Sequence, residues 1–196
     1  MSGTTGNDTF NGVLQANGAT GTTIQPGDAV NGGAGTDSLN ITVAGDIGGG
    51  NNAGFTIAAV QTSGVEKVLL SNFNTRDHAD AKVTVAAGLM TGLAAVGMSS
   101  SSSTGDTVFN GMQNMVAAEM RNGAGDLTLT YDGAQVVTGT SDSQALTVSN
   151  LTGGTFTANG IETLNITSEI AKSTLTAAAS NALKRVVVTG AGDTSA

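Results

Sequence analysis

The sequence predicts a mostly β protein, arranged as an elongated β-sandwich or an irregular β-solenoid with one or two short helices. The chain has 196 residues, of which 29 are Gly and one is Pro, and only 3% are aromatic. Its apolar residues are mainly Ala, Val, Leu and Ile, and they alternate with Thr, Ser, Asn and Gly. Small alternating side chains suit closely layered strands better than one thick core.

Regular alternation begins after residue 37. Leu39, Ile41 and Val43 point to one side and the polar residues between them point to the other, as in a half-buried strand. A shorter apolar piece over 10–14 precedes this strand, and a Gly/Asn turn over 48–52 follows it. The same pattern predicts strands over 55–60, 65–70, 127–130, 135–137, 145–148, 155–158, 162–167 and 185–189.

Two segments indicate helical structure. Residues 82–98 start as a strand and run into a short, weak helical turn. Between 108 and 120, apolar residues stand at 108, 109, 112, 115, 116 and 120, which is close to helical spacing. The spacing predicts one short amphipathic helix there.

Loose repeats divide the chain. The phrase Gly-Val-Glu-Lys-Val-Leu-Leu at 64–70 matches Gly-Ile-Glu-Thr-Leu-Asn-Ile at 160–166, and two other pairs of segments recur at offsets near 90 residues. We therefore expect a Gly/Asn/Thr-rich opening segment over 1–35, a first β repeat over 36–105, a short helical connector over 106–124 and a second β repeat over 125–196.

Composition excludes several functions. A formal net charge of −8 offers no cationic surface for nucleic acid. The absence of cysteine excludes disulfides, zinc–thiolate sites and thiol catalysis. No stretch approaches 18 apolar residues and the segment over 1–30 contains no apolar signal-peptide core, so we expect no membrane span. Either the segment is excised from a longer protein, which we favour, or its export uses another signal.

One motif carries a specific chemistry. Residues 32–40, Gly-Gly-Ala-Gly-Thr-Asp-Ser-Leu-Asn, fit the nonapeptide G-G-x-G-x-D-x-U-x at every fixed position, and residues 3–11 are a near copy with Thr in place of the second Gly. Glycines let a turn aim its carbonyls at one point, and the Asp adds a carboxylate. A hard cation would then receive only oxygen ligands. A simple Gly-Asp turn between strands is the alternative interpretation.

These motifs resemble the calcium turns of RTX-type (repeats-in-toxin) secreted proteins, and the chain is more similar still to bacterial surface-layer (S-layer) proteins built on such turns. The resemblance implies calcium as the bound metal, with Gly33, Gly35 and Asp37 at one site and Gly6 and Asp8 at a second. Family calcium rolls carry tandem nonapeptides, whereas these two motifs stand apart, at 3–11 and 32–40. Further ligands must then come from elsewhere, and the acidic residues nearest in sequence are Asp28 and Asp46.

Enzymatic interpretations are weaker. His78, between Asp77 and Asp80, is the only histidine, and the chain has no G-x-S-x-G nucleophile motif. Glu66 and Glu162 occupy equivalent repeat positions, which suggests paired carboxylates, but no tryptophan is present to stack against a sugar. We interpret the histidine segment as a charged loop and both glutamates as strand-edge or turn residues, and we expect no catalytic activity.

The expected function is structural: a subunit segment of a self-assembling bacterial surface layer, secreted, extracellular and ordered by calcium. Its expected partner is a second copy within a lattice, and cell-surface polysaccharide is a further candidate. An adhesin, or a non-catalytic β-repeat binding module of an RTX-type secreted protein, is the alternative.

Overall fold

The structure, a computed structural model, describes residues 1–15, 21–47, 54–57, 60–76, 81–132, 136–169, 172–190 and 194–195. The protein is mostly β, with 52% strand and 2% helix, as the sequence predicts. The strands are β1 Thr9–Gln15, β2 Ala29–Asn31, β3 Ser38–Gly45, β4 Phe55–Ile57, β5 Gln61–Ser63, β6 Lys67–Asn74, β7 Val83–Ala86, β8 Ala95–Ser99, β9 Thr107–Met112, β10 Ala117–Arg121, β11 Leu127–Tyr131, β12 Ser143–Ser149, β13 Thr155–Ala158, β14 Thr163–Ser168, β15 Ser173–Thr174, β16 Ala177–Ala179, β17 Arg185–Gly190 and β18 Thr194–Ser195.

Two parallel sheets form the body of the molecule. The larger sheet has the order β1-β3-β6-β8-β10-β12-β14-β17, and the smaller has the order β16-β13-β11-β9-β7-β4. The short pairs β2–β5 and β15–β18 are parallel too. Sandwiches are built from antiparallel strands, whereas a chain that climbs by one parallel strand per turn is a solenoid. The parallel pairing therefore selects the solenoid from the two predicted architectures.

The coils differ in length along the axis. Thr9 pairs with Ser38 and Ser38 with Lys67, so equivalent positions of these coils are 29 apart in sequence. Later coils alternate in length, because Ala95 pairs with Ala117 over a short coil, Ala118 pairs with Leu146 over a long one, and Thr163 pairs with Arg185 over a short one again. Stacked in this way, the inward side chains form continuous columns through the core. One column of the larger sheet contains Phe10, Leu39, Val68, Val96, Ala118, Leu146, Ile166 and Val188.

The predicted helix over 108–120, and with it the helical connector over 106–124, is wrong. Strands β9 and β10 occupy this region. Phe109, Met112 and Met120 all face the core, but Gly111 has a φ of +76° and inserts a bulge that shifts the alternation by one residue. Two strands with a phase shift between them therefore imitate a helical period.

Other local predictions have mixed outcomes. The segment over 82–98 begins as β7 and continues into one turn of 3-10 helix at Ala87–Leu89, as predicted. Residues 136 and 137 form a turn instead of the predicted strand, because their coil bends there before β12. Gln135 and the predicted turn over 48–52 lie outside the described residues. None of the described helical residues forms a segment that is long and apolar enough to cross a membrane.

Candidate functional site

The two nonapeptide segments lie directly on top of each other at one corner of the solenoid. Their separation along the chain equals one coil. At this corner the backbones approach so closely that only glycine fits: a methyl group on Gly32 would lie 1.7 Å from Gly64 O and 2.4 Å from Asp37 Oδ2. A methyl group on Gly3 would likewise lie 2.1 Å from Gly32 O. The glycines therefore allow the turns of successive coils to stack.

Three carboxylates form a ladder at the same corner. The N–H of Asp8 donates to Asp37 Oδ1 at 2.7 Å, and the N–H of Asp37 donates to Glu66 Oε2 at 2.7 Å. We call Asp8, Asp37 and Glu66 the acid ladder. Each member immediately precedes a strand, so the carboxylate of one coil binds the backbone of the coil before it. Neighbouring strands are about 4.8 Å apart, which brings three like charges close together.

Asp37 is the most enclosed member of the ladder. It is 0% exposed, and its Oδ2 atom has no hydrogen-bond partner among the described residues. A buried carboxylate oxygen without a donor is costly. The segment over 1–66 contains five acidic residues and no Lys or Arg, and the first cation, Lys67, forms an ion pair with Glu119 at 2.6 Å. No Lys or Arg therefore precedes the last member of the ladder, and the first one after it is paired with Glu119.

The predicted metal ligands are only partly brought together. Gly33 and Gly35 have φ values of +100° and +130°, and they stack on Thr4 O and Gly6 O of the previous coil. Gly6 and Asp8 thus lie one coil from Asp37, on the same corner.

The two outlying acidic candidates do not join this corner. Asp28 is separated from Gly32 by β2, and its Oδ2 accepts the N–H of Gln25 at 2.7 Å. Asp46 pairs with Arg76 at 2.5 Å. Among the described residues, no group of three acidic or histidine side chains converges on one point. A cation at this corner would therefore be held by Asp37 and Asp8 together with backbone carbonyls and water.

Glu66 is the ladder member that sequence reasoning missed, because it was interpreted as a strand-edge residue. The signal was its distance along the chain from Asp37, which equals the distance of Asp37 from Asp8.

The structure also contains a second acid pair of the same design. The N–H of Asp142 donates to Glu162 Oε2 at 2.8 Å, and Asp142 Oδ2 is buried without a hydrogen-bond partner among the described residues.

Of the enzymatic candidates, only Glu66 and Glu162 lie among the described residues. Asp77, His78 and Asp80 lie outside the described residues. Glu66 and Glu162 precede strands that are four positions apart in the larger sheet, which is a separation of about 19 Å. Paired carboxylates in glycosidases are about 5 to 9.5 Å apart. The two glutamates therefore cannot act on one bond.

An ion-pair network of Lys67, Glu119, Arg121 and Glu169 lies on the outer face of the larger sheet. Glu119 is 7% exposed and contacts Lys67 Nζ at 2.6 Å and Arg121 Nε at 2.8 Å. Burial raises the pKa of Glu119, but the hydrogen bonds and positive charges of Lys67 and Arg121 outweigh burial and leave that pKa below its usual value. Burial lowers the pKa of Arg121, and its contacts with Glu119 and Glu169 raise it overall. These carboxylates are therefore neutralised by cations of the same chain.

Comparison with known proteins finds no match to the chain among protein-family models, curated proteins or solved structures.

Proposed function

We propose that this chain is a structural, non-enzymatic segment of a self-assembling extracellular bacterial surface layer, and that calcium orders its N-terminal corner. One observation carries the calcium proposal. Asp37 Oδ2 is fully buried without a hydrogen-bond partner among the described residues, and no Lys or Arg occurs anywhere over 1–66 to balance the acid ladder.

The physical reason is charge repulsion. Two unit charges about 4.8 Å apart repel by about 3 kcal/mol at an effective dielectric constant near 20. Calcium prefers carboxylate and carbonyl oxygens, and both kinds stand at this corner. Asp37 and Asp8 would supply charge, and the turns containing Gly6, Gly33 and Gly35 would supply carbonyls. Bound calcium would relieve the repulsion and give the buried oxygen a partner.

The rest of the fold favours a structural role. The coils stack through small side chains and backbone pairing, and each coil contacts mainly its neighbours. A site completed by backbone carbonyls and few carboxylates suits the millimolar calcium that extracellular modules use. We therefore place the chain at the bacterial cell surface, with its own copies as the main partner.

Thermal unfolding in calcium and in chelator tests the proposal. Calcium at 100 times its Kd stabilises a folded protein by about 2.7 kcal/mol. For a domain of this size that corresponds to a rise in Tm of roughly 5–11 °C. The expected result is such a rise in millimolar calcium, reversed by chelator and absent in Asp37→Asn, whose amide oxygen still accepts the N–H of Asp8.

Asp142→Asn is the matched control, because it removes the same charge from the second acid pair, in which Asp142 donates its N–H to Glu162. It should keep the full calcium response of the unmodified chain. An unmodified chain whose Tm is the same in calcium and in chelator would refute the calcium proposal, and an equal response in Asp37→Asn would place the ion elsewhere.

A specific surface favours the alternative of an adhesin or another binding module. A groove of about 370 Å³ runs across β2 and β5. Met1 and Leu89 flank it with 54% and 51% exposure, and Asn31 and Gln61 line it. Saturable binding of a soluble glycan by a chain that forms no assemblies would favour this alternative over the surface-layer function.

A further inference from the structure

We infer that the ion pairs among Lys67, Glu119, Arg121 and Glu169 form a strap along the solenoid axis, and that this strap makes the coils from β6 to β14 open together. We call these four residues the axial strap. The inference goes beyond the proposed function, because it depends neither on calcium nor on contacts between copies. It assigns the chain a conformational device: coils that separate in one step instead of one after another.

The backbone alone does not couple distant coils. In a solenoid each coil contacts mainly its neighbours, so stability is approximately a sum of single coils and nearest-neighbour interfaces. The relevant part of the larger sheet has the order β6-β8-β10-β12-β14, in which only adjacent strands are hydrogen-bonded. Such a stack can open at one interface while the other interfaces stay closed.

The axial strap joins strands that are not neighbours. Lys67 begins β6 and Glu119 lies in β10, with β8 between them, and Lys67 Nζ is 2.6 Å from Glu119 Oε1. Glu169 follows β14, and its Oε2 is 2.8 Å from Arg121 Nη1 of β10, with β12 between them. Neighbouring strands are about 4.8 Å apart, so each ion pair spans about twice that distance. Only long side chains reach so far.

The two ion pairs are connected through β10. Arg121 donates from Nε to Glu119 Oε2 at 2.8 Å and from Nη1 to Glu169 Oε2. Glu119 therefore binds Lys67 with one carboxylate oxygen and Arg121 with the other. The line of charges crosses four consecutive interfaces, from β6–β8 to β12–β14. Opening any one of them breaks an ion pair of the axial strap.

The crossed strands carry small residues under the axial strap. On β8, Ala95 pairs in register with Lys67, and Gly97 pairs with Glu119. Ala95 is only 8% exposed although it lies on the outer face, which fits a long side chain lying over it. On β12, Ser149 pairs with Arg121 and donates its hydroxyl to the backbone oxygen of Glu169 at 3.2 Å. Both halves of the strap therefore have room to cross.

The axial strap lies where the ladder of the larger sheet is narrow. Residues 67–70 pair with 95–98, and residues 118–121 pair with 146–149. By contrast, β3 pairs with β6 along its whole length, 38–45. A short ladder contains fewer backbone hydrogen bonds, so these narrow interfaces resist separation less. The ion pairs reinforce the sheet at these places.

The enclosure of Glu119 makes the axial strap stronger than an ordinary surface ion pair. Exposed ion pairs contribute little, because water and salt screen them. The side chain of Glu119 is only 9% exposed, against 34% for Lys67 and 25% for Arg121. Separating an enclosed charge from its partner leaves that charge without compensation. Opening an interface under the strap has this cost in addition to the lost backbone pairing.

The chain also contains an ion pair between neighbouring coils, which serves as a matched control. Arg76 Nε lies 2.5 Å from Asp46 Oδ1. Asp46 follows β3 and Arg76 follows β6, and these two strands are adjacent in the larger sheet. Arg76→Met therefore removes an ion pair but no connection across an intervening strand. Lys67→Met removes such a connection.

Urea unfolding followed at two separate coils tests the inference. The chain contains no cysteine, so Leu89→Cys or Thr167→Cys provides one labelling position for a fluorophore. Leu89 lies in the coil that begins with β6 and Thr167 lies in β14, and both are exposed. In the chain with an intact strap, the two labels should report the same urea midpoint. In Glu119→Gln the two midpoints should separate by at least about 0.5 M.

Lys67→Met and Glu169→Gln each break one half of the axial strap and should also separate the midpoints. Arg76→Met should lower both midpoints together. Circular dichroism verifies folding, and the two half-strap variants decide the test if Glu119→Gln does not fold. Different midpoints with the strap intact would overturn the inference, because the coils would then open independently. Coincident midpoints in the folded strap variants, or an equal separation in Arg76→Met, would overturn it too.

Discussion

Two acidic corners of the solenoid share one design and differ in their counter-charge. In both, an Asp donates its N–H to a Glu of the next coil, at 2.7 Å for Asp37 and Glu66 and at 2.8 Å for Asp142 and Glu162. Both aspartates have a buried Oδ2 without a hydrogen-bond partner among the described residues.

The difference lies in the neighbouring coil. Lys184 follows Glu162 by one coil and donates its N–H to Glu162 O at 2.8 Å, and Arg185 is next to it. At the N-terminal corner the following coil contributes Ala94, and the segment over 1–66 contains no Lys or Arg. The hydrogen bond from Asp to Glu is therefore the same at both corners, but a lysine and an arginine follow in the next coil at the second corner, and Ala94 stands in the equivalent place at the first.

The largest expected effect breaks the geometry of the N-terminal corner. In Gly32→Ala the new methyl group would meet Gly64 O at 1.7 Å, so the stacked turns must separate. We expect a loss of about 3 kcal/mol in the free energy of unfolding, measured by urea titration. Gly88→Ala is the control, because the nearest atom to its methyl group is 3.7 Å away. Equal stability of the two variants would show that the corner is not closely stacked.

The second-largest expected effect tests whether Lys67 and Arg121 neutralise the carboxylate of Glu119. Glu119→Gln removes the charge that Lys67 and Arg121 share, and at pH 7 we expect a loss of about 2 kcal/mol in unfolding free energy.

The contribution of Glu119 should depend on pH. Because the folded pKa of Glu119 is below its usual value, its contribution is present above the unfolded pKa, near 4.3, and disappears as pH falls through the folded pKa. Urea unfolding at pH 7 and near pH 3 should therefore show a difference between the two chains that shrinks in acid. A difference that is the same at both pH values would contradict this assignment.

The smallest expected effect comes from removing a lysine from the coil that follows Glu162. Lys184→Met removes the ammonium group that donates to Thr140 O at 3.4 Å, two residues before Asp142, and we expect a loss of about 0.5–1 kcal/mol in chelator. Calcium should restore more of this loss than it restores in Lys172→Met, which removes the same charge from another part of the coil. Equal Tm values of the two variants in calcium and in chelator would show that Lys184 does not neutralise the pair.

Individual residues show which features of the structure the sequence predicted and which it did not. The alternation of Leu39, Ile41 and Val43 and the glycines of the 32–40 motif predicted a strand after a tight turn, and the structure has both. Asp37 was identified as a central candidate, and the structure makes it the fully buried member of the acid ladder. Glu66 was missed because its partner lies a whole coil earlier in the chain, and local patterns contain no information about what lies on top of a turn.

The sequence by itself determined the mostly β content, the glycine turns and the excess of acid over 1–66, because these depend on side-chain size, backbone freedom and charge. Only the tertiary structure decided the parallel pairing, the variation in coil length, and the strands at 107–112 and 117–121. Those features depend on which backbones stack at about 4.8 Å, and stacking is a long-range contact that alternation along one strand does not encode.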